Sequence, residues 1–138
     1  MRRLAVLFAA VALGALLAQI TGCKSAAECR KARLSAVSSW EGIKAQAGKH
    51  KLGGGPGYDE MSESQKKKHF DDWADIEGGA HLVWESFAFE QITWNAANNG
   101  RTRVNAAFDR VEKTRYASFD GALATANKRF TEADAACR

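Results

Sequence analysis

The side chains of this chain that could do chemistry are three histidines, three cysteines and a run of carboxylates. A zinc site needs three or four His, Cys or carboxylate ligands converging on one point, usually announced by close spacing or a Cys-x-x-Cys pair. Neither pattern is present. His69 and His81 are 12 residues apart on one predicted helix, about 120° out of register, so they share no ligand face. His50 lies beside a glycine-rich stretch. Asp71, Asp72, Asp75 and Glu77 could suggest acid-base work or divalent-ion binding, but the Asp-x-Asp-x-Asp-Gly calcium pattern is missing. They read as an exposed charged helix face. Gly53 to Gly57 lacks the Gly-Lys-Ser/Thr that would make it a phosphate-binding loop, and no Gly-x-Ser-x-Gly elbow occurs. The expectation is therefore no enzyme, no catalytic residue, no metal and no cofactor.

The elements that must carry these residues read as all-α. Alanine is abundant, there is a single proline, and apolar residues recur at helical spacing. Ser25-Ala26-Ala27-Glu28 is a capping box, in which serine and glutamate side chains satisfy free N–H groups at a helix start. It opens a first helix whose inner face is Cys29, Arg33, Ala36, Trp40, Ile43 and Ala47. Gly48, Gly53-Gly54-Gly55, Pro56 and Gly57 make 48–61 a flexible loop. A second capping box, Ser62 to Gln65, opens a helix in which Gly78-Gly79 is a kink or a reversal. His81 to Trp94, apolar nearly all round, reads as the most buried stretch. Asn98-Asn99-Gly100 reads as a helix stop. From Val104 to Cys137 apolar residues recur at a mean spacing of 3.67, predicting one straight last helix of about 36 residues and about 54 Å. The result is a bundle of three long helices, or of four segments if Gly78-Gly79 is a reversal.

The chain's start has a different character. Arg2 and Arg3 precede Leu4 to Ile20, 17 residues without a charge, which as a helix would reach about 25 Å, short of a hydrocarbon core of about 30 Å. Ile20-Thr21-Gly22-Cys23 closes the segment with small residues before a cysteine. These four residues resemble the lipobox of bacterial lipoproteins, the substrates of signal peptidase II, and the resemblance covers residues 1–23. It implies a signal peptide over 1–22, cleavage before Cys23, a diacylglycerol on its thiol, an N-acyl chain on its amino group, and a mature domain over 23–138. Lys24 is not aspartate, which by the sorting rule of such lipoproteins implies the outer membrane, facing the periplasm, in a Gram-negative host.

With Cys23 lipidated, Cys29 and Cys137 remain in an oxidising compartment, and an even remainder there predicts a disulfide. A simple up-down-up bundle would put them at opposite poles. The bridge therefore demands either a loop that carries the chain back along the first helix or a fourth segment.

The whole chain carries a formal net charge of +4, and cleavage would remove Arg2 and Arg3. No nucleic-acid motif accompanies the remainder, so nucleic acid is not an expected partner. Lys44, Lys49, Lys51 and Lys66 to Lys68 read as a solvated surface. Arg115, the one charge in the last stripe, is expected to pack its stem or to pair with Glu77 or Glu85. Phe89 and Trp94 lie off the main stripe and are the candidate partner surface. The first helix starts two residues after Cys23, so Lys24, Arg30, Lys31 and Arg33 should lie near lipid headgroups. The leading expectation is a cell-envelope lipoprotein, held to the lipid bilayer through Cys23, that binds another envelope protein or stabilises an assembly. The alternative is an inhibitor or immunity-type lipoprotein directed at a secreted hydrolase or toxin. Peptidoglycan is a further candidate partner, but the chain ends Ala136-Cys137-Arg138 and lacks the terminal lysine by which short murein lipoproteins are joined to it.

Overall fold

The computed structural model describes residues 25–53, 55–88 and 94–138. Ser25 has extended dihedrals, and its Oγ accepts the Glu28 N–H at 3.2 Å, starting α1 (Ala26–Ser38). The helix is interrupted because Ser38 and Ser39 turn their hydroxyls back onto the carbonyls of Ser35 and Ala36 at 2.9 and 2.7 Å, where they compete with backbone donors. Ser39 itself stays in the right-handed helical region, so α2 (Trp40–Lys51) follows on from α1. The first predicted helix is thus one run in two parts, and Ala36, Trp40, Ile43 and Ala47 of its predicted inner face are buried. It continues past Gly48 to Lys51. The loop is shorter than the composition suggested, and its left-handed turns fall at Gly53 and Gly57 (φ +99° and +75°), where a side chain would be strained.

The second capping box forms in full: the Ser62 N–H donates to Gln65 Oε1 at 2.8 Å and the Gln65 N–H to Ser62 Oγ at 3.3 Å. It opens α3 (Glu63–Ala88), which runs through Gly78-Gly79 without a break. α4 (Trp94–Phe108) likewise runs through Asn98-Asn99-Gly100, so the expected stop is a helix interior. One contact explains both departures. A Cβ on Gly79 would sit 2.9 Å from the Gly100 carbonyl oxygen, and one on Gly100 would sit 2.7 Å from that of Gly79. The glycines let the two backbones touch, and the packing gained there overrides the weak helix propensity of Asn-Asn-Gly.

The predicted last helix is also two. After Phe108 the chain turns, forms a short 3-10 helix (Lys113–Tyr116), and returns as α5 (Ala117–Ala136). The α1–α2 run, α3, α4 and α5 alternate in direction, which gives four segments. The direction therefore changes three times, from α2 to α3, from α3 to α4 and from α4 to α5, and not at Gly78-Gly79. Trp40, Trp73, Ile76, Val83, Val104, Phe108, Phe119 and Phe130 are buried between the segments, each aromatic ring there contributing about 2 to 3 kcal/mol. The described part of α3 buries Trp73, Ile76, Ala80 and Val83, while Leu82 is 39 % exposed; residues 87–93 of the His81–Trp94 stretch, read as the most buried, lie outside the described side chains. Asn105 and Asn127 exchange amide hydrogen bonds at 3.1 and 2.8 Å and fix the register of α4 on α5. Among the described residues no helix is long and apolar enough to cross a membrane.

Candidate functional site

An even number of alternating segments brings the first and last described residues to one pole, and there Cys29 and Cys137 are joined (S–S 2.05 Å, Cα–Cα 5.1 Å). Trp94 opens α4 at the same pole. Its indole stacks on Phe130 (centroids 4.2 Å, planes 14° apart) and donates its N–H to the Asp134 carboxylate. The Arg33 guanidinium lies 5.2 Å from the Trp94 ring centroid, and that of Arg101 lies 4.9 Å from the Phe130 centroid. Trp94, expected on a partner surface, is therefore engaged within the bundle, and Arg33 turns inward to it. Arg30 and Lys31 are exposed on α1. Cys23, Lys24 and Phe89 lie outside the described residues, as do residues 1–22, which the sequence reading takes as a signal peptide.

The opposite pole gathers side chains that the sequence keeps far apart. His69, only 7 % exposed, places Nε2 at 2.5 Å from the His50 carbonyl oxygen. A carbonyl only accepts, so Nε2 carries the proton, and in the neutral ring Nδ1 is left to accept from the Tyr116 hydroxyl at 3.4 Å. Tyr116 in turn accepts from the Trp73 indole; burial pushes its phenol above the ordinary value near 10, and the Trp73 bond offsets part of that rise. His50 packs at 4.5 Å from the Trp73 centroid and 4.9 Å from that of Tyr116. These groups tie the end of α2, the start of α3 and the turn before α5 together. Beside them is an open pocket of about 250 Å³ lined by Met61, His69, Asp72, Arg110, Arg115 and Tyr116.

Charge pairing uses up most of what the sequence offered as acid-base or polyanion chemistry. Asp72 is 9 % exposed, which corrects its assignment to a solvated face; it pairs with Lys68 at 2.6 Å and Arg110 at 3.3 Å. Asp75 takes Arg110 at 2.8 Å and Arg103 at 3.2 Å, lacing α3 to α4. Asp71 pairs with Lys67 and Glu77 with Lys51. Arg115 pairs with neither Glu77 nor Glu85; its partner is Glu112 at 2.8 Å, while Glu85 meets His81. Lys44 lies over Trp84 and Lys66 over Tyr58. Among the described residues, no three His, Cys, Asp or Glu side chains are gathered closely enough to hold a metal ion.

The His50–His69–Tyr116 association was not legible beforehand, since 47 residues separate Tyr116 from His69. The one available signal was that His50 and His69 flank the same loop. No family model, curated protein or solved structure matches the chain.

Proposed function

We propose that this protein is a lipid-anchored envelope protein whose helical bundle works close to the membrane as a non-enzymatic binding or structural module, held there through acylated Cys23. The observation that carries the reading is the position of the Ser25 cap. A helix fixed by its own N-cap and by a disulfide at Cys29 begins two residues after the lipobox cysteine, leaving no length for a flexible tether. Two or three acyl chains give stable membrane attachment. Arg30 and Lys31 on the first turns of α1 then lie within reach of anionic headgroups, each such cation contributing about 1 kcal/mol. At the other end of the bundle, about 39 Å away for the 26-residue α3, the loop and the 109–116 turn face away from the bilayer and are free to meet a partner.

The test is chemical crosslinking of membranes that carry the tagged protein, followed by capture and quantification against a Cys23→Ser control. A single protein partner, recovered in fixed ratio and lost in the control, supports the reading. Recovery of muropeptides without a protein contradicts it.

A further inference from the structure

One apolar groove lies at the pole that carries Cys29 and Cys137. Its floor, among the described residues, is a single stripe of α1 from Ala26 through Cys29, Arg30, Arg33 and Leu34 to Val37, at steps of three, one, three, one and three; Ser86 of α3 and Trp94 of α4 complete the lining, and the volume is about 530 Å³. From Ala26 to Val37 the stripe measures about 16 Å, of the order of an extended fatty acyl chain. Buried in this wall is a polar group without a partner. The Nε–H of Arg33 is shielded from solvent and meets no acceptor, although buried donors are almost always satisfied. What the groove lacks is thus an apolar chain with a carbonyl oxygen near one end.

Resting on the lipoprotein reading above, we infer that this groove seats one acyl chain of the lipid borne by Cys23, with an ester or amide carbonyl of that lipid accepting the Arg33 Nε–H. The source of the chain follows from distance. The groove's first residue, Ala26, is three positions after Cys23, a span of at most about 11 Å. Arg33 lies about 12 Å along the helix from Ser25, and its side chain leans back toward the helix start, which brings it toward the glycerol esters. Transfer of a chain from bilayer to groove exchanges one apolar surrounding for another, so the contact adds little to membrane affinity. What it supplies is orientation: an anchor packed on α1 holds the bundle at one angle to the membrane.

The experiment uses cells fed a fatty acid carrying a diazirine. After irradiation, the acylated protein is extracted from membranes and digested, and peptides joined to the N-terminal lipopeptide are mapped by mass spectrometry. The expected product joins that lipopeptide to the α1 segment around Leu34 and Val37 or to Trp94. Leu34→Lys should abolish this adduct while leaving acylation, helicity and the disulfide intact; Ser35→Lys, off the groove, should leave the adduct unchanged. An acyl mass on Cys23 with adducts only to membrane lipid overturns the inference and leaves the anchor standing. A free phospholipid adduct on α1 overturns the assignment to Cys23. Absence of any acyl mass on Cys23 overturns the anchor and the groove together.

Discussion

Cys29 and Cys137 stand 108 positions apart in the chain and 5.1 Å apart between Cα atoms, so the bridge closes nearly the whole domain into one loop. In the chain-entropy model, closing a loop of that size stabilises the folded state by about 4 to 5 kcal/mol, less any native strain. Cys29→Ser should lower the urea midpoint by the corresponding amount, and adding a reductant to the wild-type protein should reproduce the loss. The reductant should do nothing further to the variant. A shift of less than about 1 kcal/mol would mean that packing around Trp94 and Phe130 already holds the ends.

Substituting alanine for helical glycines should have opposite signs at different sites. At Gly79 the new Cβ would meet Val104 Cγ2 at 2.8 Å and the Gly100 carbonyl at 2.9 Å, and backbone has no rotamer by which to yield. Gly79→Ala and Gly100→Ala should each destabilise by about 1 to 3 kcal/mol, the cost of overpacking, in spite of better helix propensity. Gly42 and Gly121 have open space where a Cβ would go, so alanine there should stabilise by about 0.5 to 1 kcal/mol. Thermal or urea unfolding of the four variants checks both signs.

Tyr116→Phe removes the hydroxyl that lies between the Trp73 N–H and His69 Nδ1, leaving two buried polar atoms without a partner; the expected cost is about 1 to 3 kcal/mol at neutral pH. Its pH signature is separable. The folded phenol titrates above its unfolded value near 10 because burial disfavours phenolate. This contribution is complete below pH 10 and declines as pH rises through the folded value. Wild-type stability should therefore fall above pH 10 more steeply than that of the variant. Lys67 and Lys113, held up by hydrogen bonds to Asp71 and Asp109, titrate in the same range but equally in both proteins. Parallel alkaline limbs would contradict the assignment.

Arg110, in the turn after α4, spans Asp72 and Asp75, and Asp72 is shielded while Arg110 is half exposed. Arg110→Ala should cost about 1 kcal/mol in dilute buffer and less in high salt, as screening weakens the exposed side of the network. Asp72→Ala should cost less still in the presence of Arg110→Ala than alone, and a double-mutant cycle measures that coupling.

Sequence signals specify the structure where the chemistry behind them is local. Both capping boxes involve residues three apart, and both start helices where their side chains require it. The signals that misled are those decided by a distant partner. Asn98-Asn99-Gly100 ends a helix in isolation, but Gly79 on α3 gives Gly100 a reason to stay helical. The stripe from Val104 to Cys137 reads as one helix because Phe108 and Phe119 are 11 residues apart, three helical turns at that spacing. The buried faces of α4 and α5 keep that phase across a reversal that contains neither glycine nor proline. The break is set instead by Tyr116, whose ring comes within 2.6 Å of where a Cβ on Gly55 would lie and whose hydroxyl meets His69. The same long-range dependence hid the candidate site. Composition could show two histidines beside a loop, but only the fold brings Tyr116 and Trp73 to them.

The placement proposed for the bundle depends on lipid at Cys23, two residues before the Ser25 cap. Intact-mass spectrometry of the protein extracted from membranes tests it directly. The expected species starts at Cys23, retains the Cys29–Cys137 bridge, and carries the added mass of a diacylglyceryl group with or without an N-acyl chain. A mature protein with an unmodified Cys23 thiol, or one that keeps residues 1–22, would contradict it.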